Sequence, residues 1–216
     1  GNVFQVCFTD PNQGVASAQY IAENKLATKI GIIYDSSDVY SSGIEEKFEA
    51  EAKTQGLNIV SKAAFTADSK TDFSTQLQKA QSAGADLVFL PIYYTEASII
   101  LTQANGMGYE PAFFGVDGMD GILNVENFDT SLAEGVMLLT PFSATSTDEK
   151  SQKFVKAYGD ANNGETPNQF AADTYDVIYA MQLAADDAKI TPDMSNEDIS
   201  AAMSASMANI ELDGLT

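Results

Sequence analysis

The feature that most constrains this chain is a series of short apolar runs separated by helical patterns. The runs lie near residues 30, 59, 88, 113 and 137, a spacing of about 25 residues, which is one strand plus one helix of roughly a dozen. Such alternation builds right-handed βαβ units, and therefore a parallel sheet with helices on its faces. The clearest run is Leu87–Leu90, bounded by Gly84 and Pro91, which reads as a strand buried on both faces. Further strands are expected over residues 3–8, 29–34, 57–65, 112–116 and 136–139. Helices are expected over residues 13–26, 44–55, 72–83 and 95–105, with a short helix or turn over residues 122–128. Gly56 and Gly84 stand where a helix would stop on a left-handed residue.

The character changes after Thr140. Residues 141–151 read as a polar linker, and residues 153–158, 168–188 and 196–207 as helices with no strands between them. They resemble the outer layer of a lobe whose sheet lies elsewhere, so an apolar helix face is expected to be exposed. The chain opens in what reads as a strand interior, GNVFQVCFTD, and closes at LDGLT without a terminal element. It is therefore expected to be a piece of a longer protein.

Composition narrows the chemistry. Acidic residues number 31 and basic residues 11, all of them Lys, for a net charge of −20. A surface this acidic repels phosphate backbones, which argues against nucleic acid as a partner. Neither His nor Arg occurs. The commonest general base and metal ligand is therefore missing. So is the guanidinium fork that would clamp a carboxylate. The single Cys7 cannot form an internal disulfide or a zinc site, and it reads as a small buried hydrophobe. No metal and no cofactor is expected, and no GxGxxG, P-loop or GxSxG pattern appears. The Asp35–Asp38 stretch, DSSD, resembles a phospho-acceptor or metal-binding pair, but the acidic cluster and late Lys of a receiver site are not evident. No run of about 18 apolar residues offers a membrane span.

Four residues fall at or just after strand carboxyl ends, where ligands bind in open parallel sheets. These are Asp10, Tyr40, Tyr93 (with Tyr94 beside it) and Asp117. A carboxylate can hold an ammonium group by charge-assisted hydrogen bonds. Tyrosine faces can hold the same cation and wall an apolar side chain. The set therefore suits a small zwitterion. Plainer readings exist for each member: Asp10 as a helix cap, Asp117 before Gly118 as a turn, Tyr40 as packing in a serine-rich loop, and the Tyr93–Tyr94 pair as half-buried loop packing. Asp120 is expected to face solvent.

The ordered pieces FTDPNQG (residues 8–14), IIYDSSDVYSSG (32–43), TDFSTQL (71–77), VFLPIYYTEA (88–97), FFGVDG (113–118) and the run over residues 154–180 resemble the substrate-binding proteins of branched-chain amino-acid ABC transporters, the leucine/isoleucine/valine type. The resemblance implies a type I periplasmic-binding fold of two Rossmann-like lobes with an amino acid held between them. Residues 1–139 would be the second lobe, with a crossover strand at residues 3–9. Residues 140–216 would be an incomplete return to the first lobe, whose other half holds the ligand carboxylate. By motif, Asp117 would take the ligand's amino group. Tyr93 would contact it too, with Tyr94 as the neighbouring register. Tyr40 matches the tyrosine of a Tyr-Gly motif that here reads Tyr40-Ser41, and Asp10 matches the acid at the crossover. The resemblance implies a binding protein and not an enzyme, located outside the cytoplasm. Its partners would be an amino-acid ligand and an ABC permease, with membrane contact only through a lipid anchor outside this stretch. The other readings on a similar scaffold are a carboxylate-dependent α/β enzyme and the effector-binding core of a regulator.

Overall fold

The computed structural model describes residues 2–216. They divide into two compact units, residues 9–140 and residues 2–8 with 141–216. The first unit is an α/β layer built on a parallel sheet of five strands: β1 (Ile30–Asp35), β2 (Ile59–Phe65), β3 (Leu87–Leu90), β4 (Ala112–Gly115) and β5 (Met137–Leu138). Their order across the sheet is β2-β1-β3-β4-β5. Sheet order reverses between β1 and β3, which makes that gap the switch point where open α/β sheets place their ligands.

The helices of this unit are α1 (Asp10–Glu23), α2 (Val39–Gln55), α3 (Ser74–Ala83) and α4 (Tyr94–Gly106). Both faces of the sheet are covered. One layer packs Phe73, Leu77, Ile100 and Leu101 of α3, α4 and the turn before α3 against Ile33, Val88 and Leu90. The other packs Ile21 of α1 and Ile44 and Phe48 of α2 against Ile32, Leu87 and Phe89. Every residue of β3 is buried, which is why its sequence is an unbroken apolar run and does not alternate. Gly56 and Gly84 close α2 and α3 at φ 72° and 74°, a conformation in which any Cβ is strained.

Two sequence expectations need correction here. Residues 3–8 form no strand, because a strand exists only where a neighbouring chain completes its ladder. They also group with residues 141–216 and not with the sheet unit. The helix expected from Ile44 begins at Val39, because the Asp38 carboxylate accepts the Tyr40 N–H and caps it. Tyr40 therefore stands on the first turn of α2 and not in a loop.

The second unit contains α5 (Glu149–Ala161), α6 (Gln169–Asp187) and α7 (Asn196–Met207), and no strand among the described residues. Phe142, Phe154 and Ala172 form its small core. Asp176, buried on α6, accepts the N–H groups of Leu215 and Thr216 and ties the end of the chain to the helix. The same helix leaves Phe170, Tyr175, Ile178, Tyr179 and Met181 exposed, Ile178 by 59%. None of the helices among the described residues is long and apolar enough to cross a membrane.

Candidate ligand-binding site

The carboxyl ends of β1, β3 and β4 bring three of the sequence-predicted residues together. Tyr40 follows β1 by one short turn, Tyr93 stands between β3 and α4, and Asp117 opens a single 3₁₀ turn after β4. The Tyr40 and Tyr93 rings stack with centroids 4.7 Å apart and planes 20° apart, bridging the switch point between β1 and β3. The Tyr40 hydroxyl donates to Asp117 Oδ1 and accepts the Gly118 N–H at 2.9 Å. One phenol thus holds both the side chain and the backbone of the β4 turn.

Gly118 permits this approach. A Cβ there would lie 2.6 Å from the Tyr40 hydroxyl, 3.0 Å from the Ile92 carbonyl and 3.1 Å from Tyr93 Cδ1, too close for any of the three to stay in place. The Asp117-Gly118 pair is a turn, and it is also packed directly beneath the two rings.

The electrostatics match the geometry. Burial first, then the charge of Asp117 and the bond to it, push the Tyr40 hydroxyl far above its ordinary pKa, so it remains a proton donor. Burial also raises Tyr93, and the charges of Asp38, Asp117 and Asp10 add to the shift. Asp10, the first residue of α1, is raised by burial and then by Asp117. These shifts describe one acidic locus at the sheet edge, with Asp117 itself only 9% exposed. Tyr93 is 42% exposed and offers a ring to solvent above that locus. Tyr94, one residue on, is the first residue of α4 and 39% exposed.

The sequence reading missed Gln13. This side chain on the first turn of α1 is fully buried, and its Oε1 accepts the Asp117 N–H at 3.0 Å across 104 residues of chain. A lone Gln in a helix start carries no local signal for such a contact. Within the Asp35–Asp38 stretch, Asp35 Oδ1 accepts the Ser37 N–H and hydroxyl, and Asp35 Oδ2 is paired with Lys70. No group of residues able to hold a metal occurs among the described residues. Asp120 is half-buried. A separate cavity of about 430 Å³ lies near the amino end of β4, lined in part by Tyr109, Pro111, Ala112 and Val136, away from this chemistry.

The periplasmic binding protein family model matches residues 1–215. A Leu/Ile/Val-binding protein homolog 3 of Brucella melitensis is 30% identical over 118 residues, 55% of this chain and 32% of that one. A Leu/Ile/Val-binding protein homolog 1 of Brucella abortus is 25% identical over 187 residues, 85% of this chain and 48% of that one. The chain thus spans a half or less of these relatives. Among solved structures, the branched-chain amino acid transporter substrate-binding protein LivJ of Streptococcus pneumoniae, in complex with isoleucine, superposes with a TM-score of 0.83 at 30% identity, over 96% of this chain and 56% of that one. The leucine-binding protein LivK of Thermotoga maritima superposes with a TM-score of 0.77 at 26% identity, over 92% of this chain and 55% of that one. With the family model matched along nearly its whole length and the parallel α/β layer shared with these structures, the chain belongs to the periplasmic binding protein family.

Proposed function

We propose that this chain is part of an extracytoplasmic solute-binding protein that captures an amino acid and passes it to an ABC permease. The observation that carries the reading is the convergence of Asp117, Tyr40 and Tyr93 at the switch point of the sheet. In this role Asp117 takes the ligand ammonium, Tyr40 holds the Asp117 carboxylate in place, and the exposed Tyr93 ring covers the cation. Asp10 adds negative potential at the rim, and Tyr94 flanks the opening. The relatives are named as binding proteins, which favours capture over catalysis. Residues 9–140 would form one lobe of the whole protein. Residues 141–216 would belong to the other, and the exposed apolar face of α6 would be covered by sequence outside this stretch. The wall that holds the ligand carboxylate would come from that sequence as well.

Titration calorimetry on the full-length protein tests the reading. Leucine, isoleucine and valine are expected to bind with micromolar or tighter dissociation constants, about −8 kcal/mol or better. The same side chains as 2-hydroxy or α-keto acids, which lack the ammonium, are expected to bind at least tenfold more weakly. Equal binding of amino and keto acids would remove Asp117 from the proposed role.

A further inference from the structure

One lysine ties together the ends of three neighbouring strands. Lys70 follows β2, the outer neighbour of β1. Its Nζ lies 3.1 Å from Asp35 Oδ2 at the end of β1 and 3.1 Å from Glu96 Oε1 on the first turn of α4, just after β3. The Asp35 and Glu96 side chains are only 5% and 11% exposed. Burial alone would raise the Asp35 carboxyl, yet the bonds from Ser37 and Lys70 hold it below the ordinary carboxylate value. A chain with 31 acids and 11 lysines thus places one of its few cations between two buried anions at the ligand edge.

Each anion is tied through its own stretch of chain to one member of the tyrosine pair. The Asp35 N–H donates to the Ser41 hydroxyl at 2.9 Å, and Ser41 adjoins Tyr40. Glu96 lies one helical turn after Tyr93. The comparison with Lys62 is instructive. Lys62 also meets two carboxylates, Glu45 at 3.1 Å and Glu49 at 2.5 Å, but both belong to α2, one turn apart, so that pairing sets no distance between separate strand ends. The Lys70 pairing does, because it spans the switch point.

We propose that Lys70 is a positioning residue for the site: by holding Asp35 and Glu96 together it sets the gap between the β1 and β3 ends and so keeps the Tyr40 and Tyr93 rings stacked. Its consequence for affinity rests on the amino-acid reading above, whereas its effect on the rings does not.

The test separates the two. In near-ultraviolet circular dichroism above the phenylalanine bands, the part of the signal lost in Tyr93→Leu belongs to the stacked pair. Lys70→Met is expected to lose that part and to bind the amino acid about tenfold more weakly in calorimetry on the full-length protein. Lys70→Arg, which keeps the cation between the two acids, is expected to retain both. Glu96→Gln leaves Asp35 paired and keeps the variant folded if Lys70→Met is too unstable. It is expected to move both readouts in the same direction by less. Retention of the stacked-pair signal and of affinity in Lys70→Met, with only a lower melting temperature, overturns the proposal. Retention of both in Glu96→Gln overturns it too. Loss of the signal in Lys70→Met, in a protein whose wild type binds no amino acid, supports the positioning role and overturns the ligand reading alone.

Discussion

Asp117→Asn is expected to weaken amino-acid binding by roughly 10- to 150-fold while leaving the fold intact. A hydrogen bond to a charged group contributes about 1.5–3 kcal/mol, and ~1.4 kcal/mol is tenfold in affinity. Asparagine keeps the shape of the side chain and can still accept from the Tyr40 hydroxyl, so the β4 turn should hold. What it loses is the charge that would neutralise the ligand ammonium. The backbone contribution of residue 117, its N–H to Gln13 Oε1, is untouched by the substitution, which separates the charge from the local structure. Glu46→Gln is the control: it removes one charge from a side chain that is 74% exposed and should change affinity less than twofold. Calorimetry on both variants decides it. Equal affinity for Asp117→Asn and the wild type would reduce Asp117 to a turn residue.

The largest expected effect on stability lies at Gly14, where the sign of an ordinary rule reverses. Gly→Ala inside a helix normally stabilises by up to about 1 kcal/mol. On α1, however, a Cβ at residue 14 would stand 2.7 Å from the Phe48 N of α2 and closer still to the Ile44 carbonyl. Both are backbone atoms of a neighbouring helix and cannot rotate away. Overpacking of this kind costs about 1–3 kcal/mol and sometimes more, so Gly14→Ala is expected to destabilise by about 2–3 kcal/mol. Gly43→Ala on α2 is the contrast, since a Cβ there meets nothing within 4 Å. It should be neutral or stabilising by up to about 1 kcal/mol. Urea unfolding followed by far-ultraviolet dichroism measures both. If Gly14→Ala were as stable as Gly43→Ala, the close approach of α1 to α2 would be wrong. Because Gln13 adjoins Gly14, a displaced α1 should also loosen the Asp117 turn, so affinity is expected to fall with stability.

Much of the sheet unit was legible because its signals are local. Leu87–Leu90 reads as a buried strand from four apolar residues and their flanks, and β3 occupies those four positions. Gly56 and Gly84 mark helix ends because few other residues accept the left-handed conformation found there. Tyr40, Tyr93 and Asp117 were grouped on a local signal of the same kind, since each follows a strand, whereas Asp10 follows a stretch that forms none. What failed was of a different kind. Residues 39–43 read as a serine-rich loop, yet one carboxylate, Asp38, is enough to start α2 among them. Residues 3–8 have strand composition but no partner, and composition cannot supply one. Gln13 and Lys70 act across long stretches of chain, through contacts 104 residues apart in the first case and between three strand ends in the second. The order β2-β1-β3-β4-β5 gives these contacts their meaning by placing Tyr40 and Tyr93 on either side of one gap, and no local pattern encodes that order.

The central claim is that the acidic, tyrosine-lined edge of this sheet receives the ammonium group of an amino acid. A crystal structure of the full-length protein with its bound amino acid measures this directly. The account predicts the ligand nitrogen within about 3 Å of an Asp117 carboxylate oxygen and within roughly 6 Å of the Tyr93 ring centroid. A ligand whose nitrogen is bound elsewhere, with Asp117 bonded only to Tyr40 and its own turn, would contradict it.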